Sequence, residues 1–143
     1  MKEKKTSDLV TSAVFNVIFL VFVNTIPLWQ QSTRGVILDT WSSVLWAMNI
    51  SIGSQIAGNL FLLFYRPRWL SELLGAVFAA TGFLSVVVFF IVFPLDFSKV
   101  VGPWLNTLVK ILCMLGMAGS LIGFIVQLVR FLREAGKALV KAT

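Results

Sequence analysis

Polar residues along this chain gather in short clusters, and between them run four apolar stretches at about 9–29, 41–65, 69–93 and 104–129. Each is long enough for a hydrocarbon core about 30 Å thick, which takes ~20 helical residues to cross. Charges, prolines or both bound every stretch. Backbone in lipid must satisfy its own hydrogen bonds, so these are helices. The ten-residue alternating segments of a membrane barrel are missing. The pattern predicts an all-α integral membrane protein, a four-transmembrane-helix bundle forming one membrane domain over 1–143, with a basic tail at 130–143.

Basic residues orient the spans. Lys2, Lys4, Lys5, Arg66, Arg68, Arg130, Arg133, Lys137 and Lys141 fall on one side, nine in all; Arg34, Lys99 and the slightly submerged Lys110 fall on the other. Nine against three places both termini in the cytoplasm. Trp29, Trp41, Trp46 and Trp104 lie at or near the outer ends of their helices, while Tyr65 and Trp69 flank the inner turn, as amphipathic rings at interfaces do. The start, with Lys2, Lys4 and Lys5 before an apolar run, is like a signal peptide. The run is ~20 residues long, carries Asn16 and Asn24 and lacks a small-residue cleavage site, so it reads as an uncleaved first span. The compact loops fit a multi-pass protein of a prokaryotic plasma membrane.

Composition agrees and removes other classes. Of 143 residues 58% are apolar and 13% charged, and the mean hydropathy is +0.92; soluble domains carry about 25% charge. A lone cysteine, Cys113, excludes a disulfide scaffold. The net charge of +6 follows from the positive-inside bias and attraction to anionic lipid at the cytoplasmic face, and calls for no nucleic acid.

The inner turn, Tyr65-Arg66-Pro67-Arg68-Trp69, is tight. Pro67 disfavours helix at Arg66 and can begin the third helix itself, and Glu72 then sits near that helix's positive end. Sliding the chain against itself by 67 residues aligns Pro27-Leu28 with Pro94-Leu95, Gly35 with Gly102, Asp39-Thr40 with Asn106-Thr107, and Arg66 with Arg133. Each half holds two spans, so this is a candidate parallel repeat of two helical hairpins. Two hairpins that independently need Pro and Gly at their outer turns are the alternative.

The middle of each span lacks Asp, Glu, His and Arg, and the chain has no histidine at all. Proton-coupled export, metal chemistry and nucleophilic catalysis each need such groups. The sequence therefore predicts no catalytic residues, no metal and no cofactor. What remains is uncharged. Ser51, Gln55 and Asn59 recur at four-residue spacing on one face of the second helix, broadened by Asn49, Gly53, Ser54 and Gly58; Asn16 and Asn24 share a face of the first. These residues either line a solute path or hydrogen-bond between helices.

Small residues mark the other two spans: Gly75, Ala79, Gly82 and Ser85 in the third, and Gly116, Gly119, Ser120 and Gly123 in the fourth. Close approach at small residues drives packing in lipid, within the bundle or between protomers. Lys110 snorkels outward, with Asp39 or Asp96 as a candidate partner. Arg66, Arg68, Arg130, Arg133, Lys137 and Lys141 are candidate lipid or partner contacts, and the amphipathic tail is expected to lie along an anionic leaflet.

Two families of small four-span bacterial proteins bear comparison. Small multidrug exporters depend on a glutamate in the first helix, where this chain has Asn16 and Asn24. Fluoride channels pair an asparagine with a glycine three residues on, whereas Asn49 and Gly53 here are four apart, and of the family's third-helix break only Thr81-Gly82-Phe83 remains. Neither match carries function. The reading that results is a non-catalytic accessory or structural subunit that packs with other membrane proteins or with itself; the alternative is a homo-oligomeric channel or carrier for a small solute or ion.

Overall fold

A computed structural model describes residues 5–142, apart from the side chains of Ala138, Lys141 and Ala142. Lys2 and Lys4, and Lys141 as a contact residue, lie outside this description. The described chain is all-helical: α1 Thr6–Trp29, α2 Ser42–Phe64, α3 Arg68–Val92 and α4 Pro103–Ala142, with 3-10 turns at Gln30–Thr33 and Asp39–Trp41. All four α-helices are long and apolar enough to span a membrane. They alternate in direction, so one end of the molecule carries the start of α1, the end of α4 and the Tyr65–Pro67 turn. The other carries the two longer connections, 30–41 and 93–102.

The helix ends follow from their residues. Tyr65 is extended (φ −139°, ψ 115°) and Pro67 caps α3 at φ −66°, ψ 147°, so Pro67 precedes the third helix and does not begin it. The Arg66 side chain holds this turn, donating from Nε to the Leu62 carbonyl at 2.7 Å and from Nη2 to Thr6 Oγ1 at 2.9 Å. The α3 helix stops at Phe93, which adopts the left-handed region (φ 40°) ahead of a buried Pro94. That conformation is costly for a bulky residue and persists because its surroundings fix it. Phe89 packs edge-on to its ring at 6.3 Å, and the Lys110 ammonium lies 4.7 Å from the ring centre.

Pro27 lies inside α1. Having no N–H, it leaves the Val23 carbonyl without its helical donor. The indole Nε1–H of Trp41 supplies one at 3.2 Å, and its ring meets Phe89 of α3 edge-on at 6.1 Å. Trp41 is thus 6% exposed and clasps three elements. It is covered by protein at its helix end, whereas Trp29, Trp46 and Trp104 are each more than half exposed.

Each helix packs on its neighbours in the chain: α1 on α2, α2 on α3, α3 on α4. No contact of comparable extent joins α1 to α4 among the described residues, so the helices form an open row with two free edges. No described residue of α4 is buried. The core divides in two. Leu9, Leu62 and Leu70 cluster toward the terminal end, and Val23, Trp41 and Ile52 toward the loop end. At the loop end the two long connections are stitched together, Leu38 N–H donating to the Pro94 carbonyl at 3.0 Å and Asp96 N–H to that of Val36 at 2.8 Å.

Candidate functional site

The polar positions of α1 and α2 meet in three layers. Near the loop end Asn24 and Asn49 form a reciprocal amide pair, Nδ2 to Oδ1 at 2.7 Å and 3.1 Å, and Asn24 also donates to the Leu20 carbonyl at 2.8 Å. Near the terminal end Asn59, 3% exposed, donates to Ser12 Oγ at 2.9 Å. Ser12 escaped the sequence reading; its four-residue spacing from Asn16 was the available signal. Between these layers lie Asn16, Ser51 and Gln55. None of the three side chains makes a hydrogen bond among the described residues, although Asn16 and Ser51 are only 7% and 6% exposed.

The other polar face of α2 turns to α3. Ser54 Oγ donates to the Ser51 carbonyl at 2.8 Å and lies 3.1 Å from Thr81 Oγ1. Gly58 is a socket there: a methyl on it would overlap the Phe78 ring. The α2 stripe is therefore shared between two neighbouring helices. Gly53, expected to broaden it, has nothing within 4 Å of where a Cβ would stand.

Small residues set the α3–α4 contact. A Cβ at Gly75 would come 2.8 Å from Cδ and Oε1 of Gln127, and one at Gly116 would lie 3.8 Å from Val86. Eleven residues toward the loop end on α3 (75 to 86) thus answer eleven on α4 (127 to 116), which brings Ala79 level with Gly123. Gly82 faces the other way, its Cβ position 4.0 Å from Ser51 Oγ, and nothing lies within 4 Å at Gly119 or Gly123. Gln127 is a residue the sequence reading missed, a lone amide in an apolar run one turn beyond Gly123. Its Oε1 is buried without a donor.

At the loop end, Gln30 Nε2 donates to Asp39 Oδ1 at 2.6 Å, and Asn106 Nδ2 donates to Asp96 Oδ1 at 3.1 Å while its Oδ1 accepts from Phe97 N–H at 2.9 Å. Both carboxylates expected as partners for Lys110 are thus engaged elsewhere, and Lys110 sits over Phe93 instead. Hydrogen bonds from the Ser98 hydroxyl, the Ser98 N–H and the Asn106 amide hold the Asp96 carboxyl below the ordinary carboxylate range. An open depression of about 600 Å³ lies beside Pro27, Gln30, Gly35 and Asp39.

Of the basic residues, Arg66 is engaged as above and Lys137 pairs with Glu134 at 2.8 Å. The tail does not bend away from the fourth span: α4 is one helix of 40 residues, about 60 Å long at 1.5 Å per residue. Arg130, Arg133 and Lys137 continue its axis, and the expected leaflet-lying tail would need a break that the helix does not have.

Among the described residues no three His, Cys, Asp or Glu side chains come together as metal ligands do. No family model, curated protein or solved structure matches the chain.

Proposed function

We propose that this protein is a non-catalytic packing subunit of a membrane, holding other membrane proteins or copies of itself through the free edges of its helix row. The observation that carries this reading is α4. It is the longest helix, is largely apolar through its span, has no buried residue among those described, and leaves Gly119 and Gly123 open. Backbones approach closely at such positions, which is how helices associate without a hydrophobic drive. The paired amides Asn24–Asn49 and Asn59–Ser12 support it too, since they tie helix to helix.

In this reading both termini face the cytoplasm of a prokaryotic plasma membrane. Arg66, Arg68, Arg130, Arg133 and Lys137 then meet anionic headgroups, each worth about 1 kcal/mol near such a surface. The two hairpins act as a parallel repeat. Gly35 and Gly102, aligned by the 67-residue shift, both take positive φ (80° and 130°). The aligned pairs Gln30–Asp39 and Phe97–Asn106 are both hydrogen-bonded. The repeat is imperfect at its prolines: α1 runs through Pro27, whereas α3 ends before Pro94.

A homo-oligomeric channel or carrier is the second reading, favoured by the unused hydrogen-bonding capacity of Asn16, Ser51 and Gln55. Leu at Gly119 and Gly123, on the open face of α4, tests the first reading, and Leu at Gln55 tests the second. Weakened assembly of the α4 variant, with no flux phenotype in either, is expected of a packing subunit. Lost flux with normal assembly would overturn that role in favour of the pore.

A further inference from the structure

We infer that Asn16, Ser51 and Gln55 form a mid-membrane binding site for a small neutral molecule that both donates and accepts hydrogen bonds. The register is fixed from outside the site. Asn59 bonds to Ser12, and one helical turn toward the loop end on each helix brings Gln55 level with Asn16. Ser51 follows one turn further along α2, so the three span roughly 5–6 Å along the helix axis. Around α2, Gln55 falls between Asn59, which faces α1, and Ser54 and Gly58, which face α3. It points into the groove between those helices, where Ser51 also faces Gly82.

Buried polar groups are ordinarily hydrogen-bonded, and in hydrocarbon an unsatisfied one costs several kcal/mol. The layers above and below obey this rule with protein partners; this layer does not. Its polar atoms are also not sealed as Gln127 Oε1 is, so a molecule the size of water can reach them. Two amides and a hydroxyl offer both donors and acceptors but no charge. The one charge well within a span, Lys110, is held at Phe93 near the loop end. A bare ion would meet no counter-charge at this depth and would be strongly disfavoured. The ligand is therefore neutral and small: water, or an alcohol or amide of a few heavy atoms. The site stands independently of the packing role proposed above, because it requires no flux.

The test is water-edited solid-state NMR of the full-length, ¹⁵N-labelled protein in lipid bilayers, with and without glycerol. The side-chain amides of Asn16 and Gln55 are expected to receive water magnetisation several-fold faster than the lipid-facing backbone amides of Phe15 and Ile18, which share their depth. Retention of this transfer in glycerol identifies water as the ligand; its loss, with shifts confined to the two amides, identifies the larger solute class. Either result supports the site. Dry amides with a direct Asn16–Gln55 contact would overturn it. Asn16→Leu and Ser51→Ala are each expected to abolish transfer to Gln55. Ser51→Ala, which removes a single hydroxyl, decides the matter if Asn16→Leu fails to fold. A Gln55 amide that stays as wet in a folded variant would also refute the inference.

Discussion

The first hairpin joins its helices with amides, and the second joins them by leaving side chains out. Between α1 and α2 the contact runs through Asn24–Asn49 and Asn59–Ser12, flanked by buried Leu9, Val23, Val44 and Leu62. Between α3 and α4 it runs past Gly75 and Gly116, and no described residue of α4 is buried. Hydrogen bonds fix distance and register at a few points. Small residues permit close approach over a long surface yet specify less. The first hairpin is therefore the positioned half of the molecule, and the second the half with surface to offer.

The comparison can be broken most forcefully at Trp41, which fastens the first hairpin to the second. Trp41→Ala is expected to cost about 3–5 kcal/mol, as for a buried aromatic in a soluble core. Trp41→Phe, which orphans the Val23 carbonyl, is expected to cost about 1–3 kcal/mol. Trp104→Ala at the exposed end of α4 should stay within about 0.5 kcal/mol. Reversible unfolding in mixed micelles reads all three. A Trp41→Ala protein as stable as the Trp104→Ala one would remove the clasp from the account.

Glycines give the next largest effect. Gly58→Ala drives a methyl into the Phe78 ring and is expected to destabilise by about 1–3 kcal/mol. Gly123→Ala meets nothing within 4 Å and should leave the monomer's stability within about 0.5 kcal/mol. A double-mutant cycle on Asn24 and Asn49 should return about 0.6 kcal/mol, the average for such pairs in membranes. A coupling near zero would show that the amides do not tie the first hairpin.

Acid gives the smallest effect. The carboxyl of Asp96 titrates below its unfolded value, so the stability it contributes is complete above about pH 4 and is lost as pH falls through the lower folded value. Hydrogen exchange at the Asp96 and Leu38 amides is therefore expected to lose protection below about pH 4, beyond the intrinsic pH dependence, and Asp96→Asn should abolish that change.

Span number and placement were legible from hydropathy because lipid imposes one requirement on every residue of a stretch. The Ser51/Gln55/Asn59 face was legible too, from its four-residue spacing. Its division among α1, α3 and the unsatisfied middle was not, since it depends on which neighbour each residue meets. The burial of Trp41 was not legible, because sequence cannot show that Pro27, fourteen residues earlier, frees a carbonyl for its indole. Asp39 and Asp96 lie in the connections at the same end as Lys110, but which partner each takes depends on the fold, which engages Asp39 with Gln30 and Asp96 with Asn106. Gln127 passed unnoticed because a single amide carries no periodicity.

The packing role rests most directly on what the protein is attached to. Extracted from its host in mild detergent, the complex is expected to weigh more than the 15.9 kDa chain, after allowance for bound detergent. Other polypeptides in it would make the chain an accessory subunit, and integer multiples of its own mass a homo-oligomer. A protein that runs as a monomer in the mildest detergent, carrying nothing else, would contradict the account.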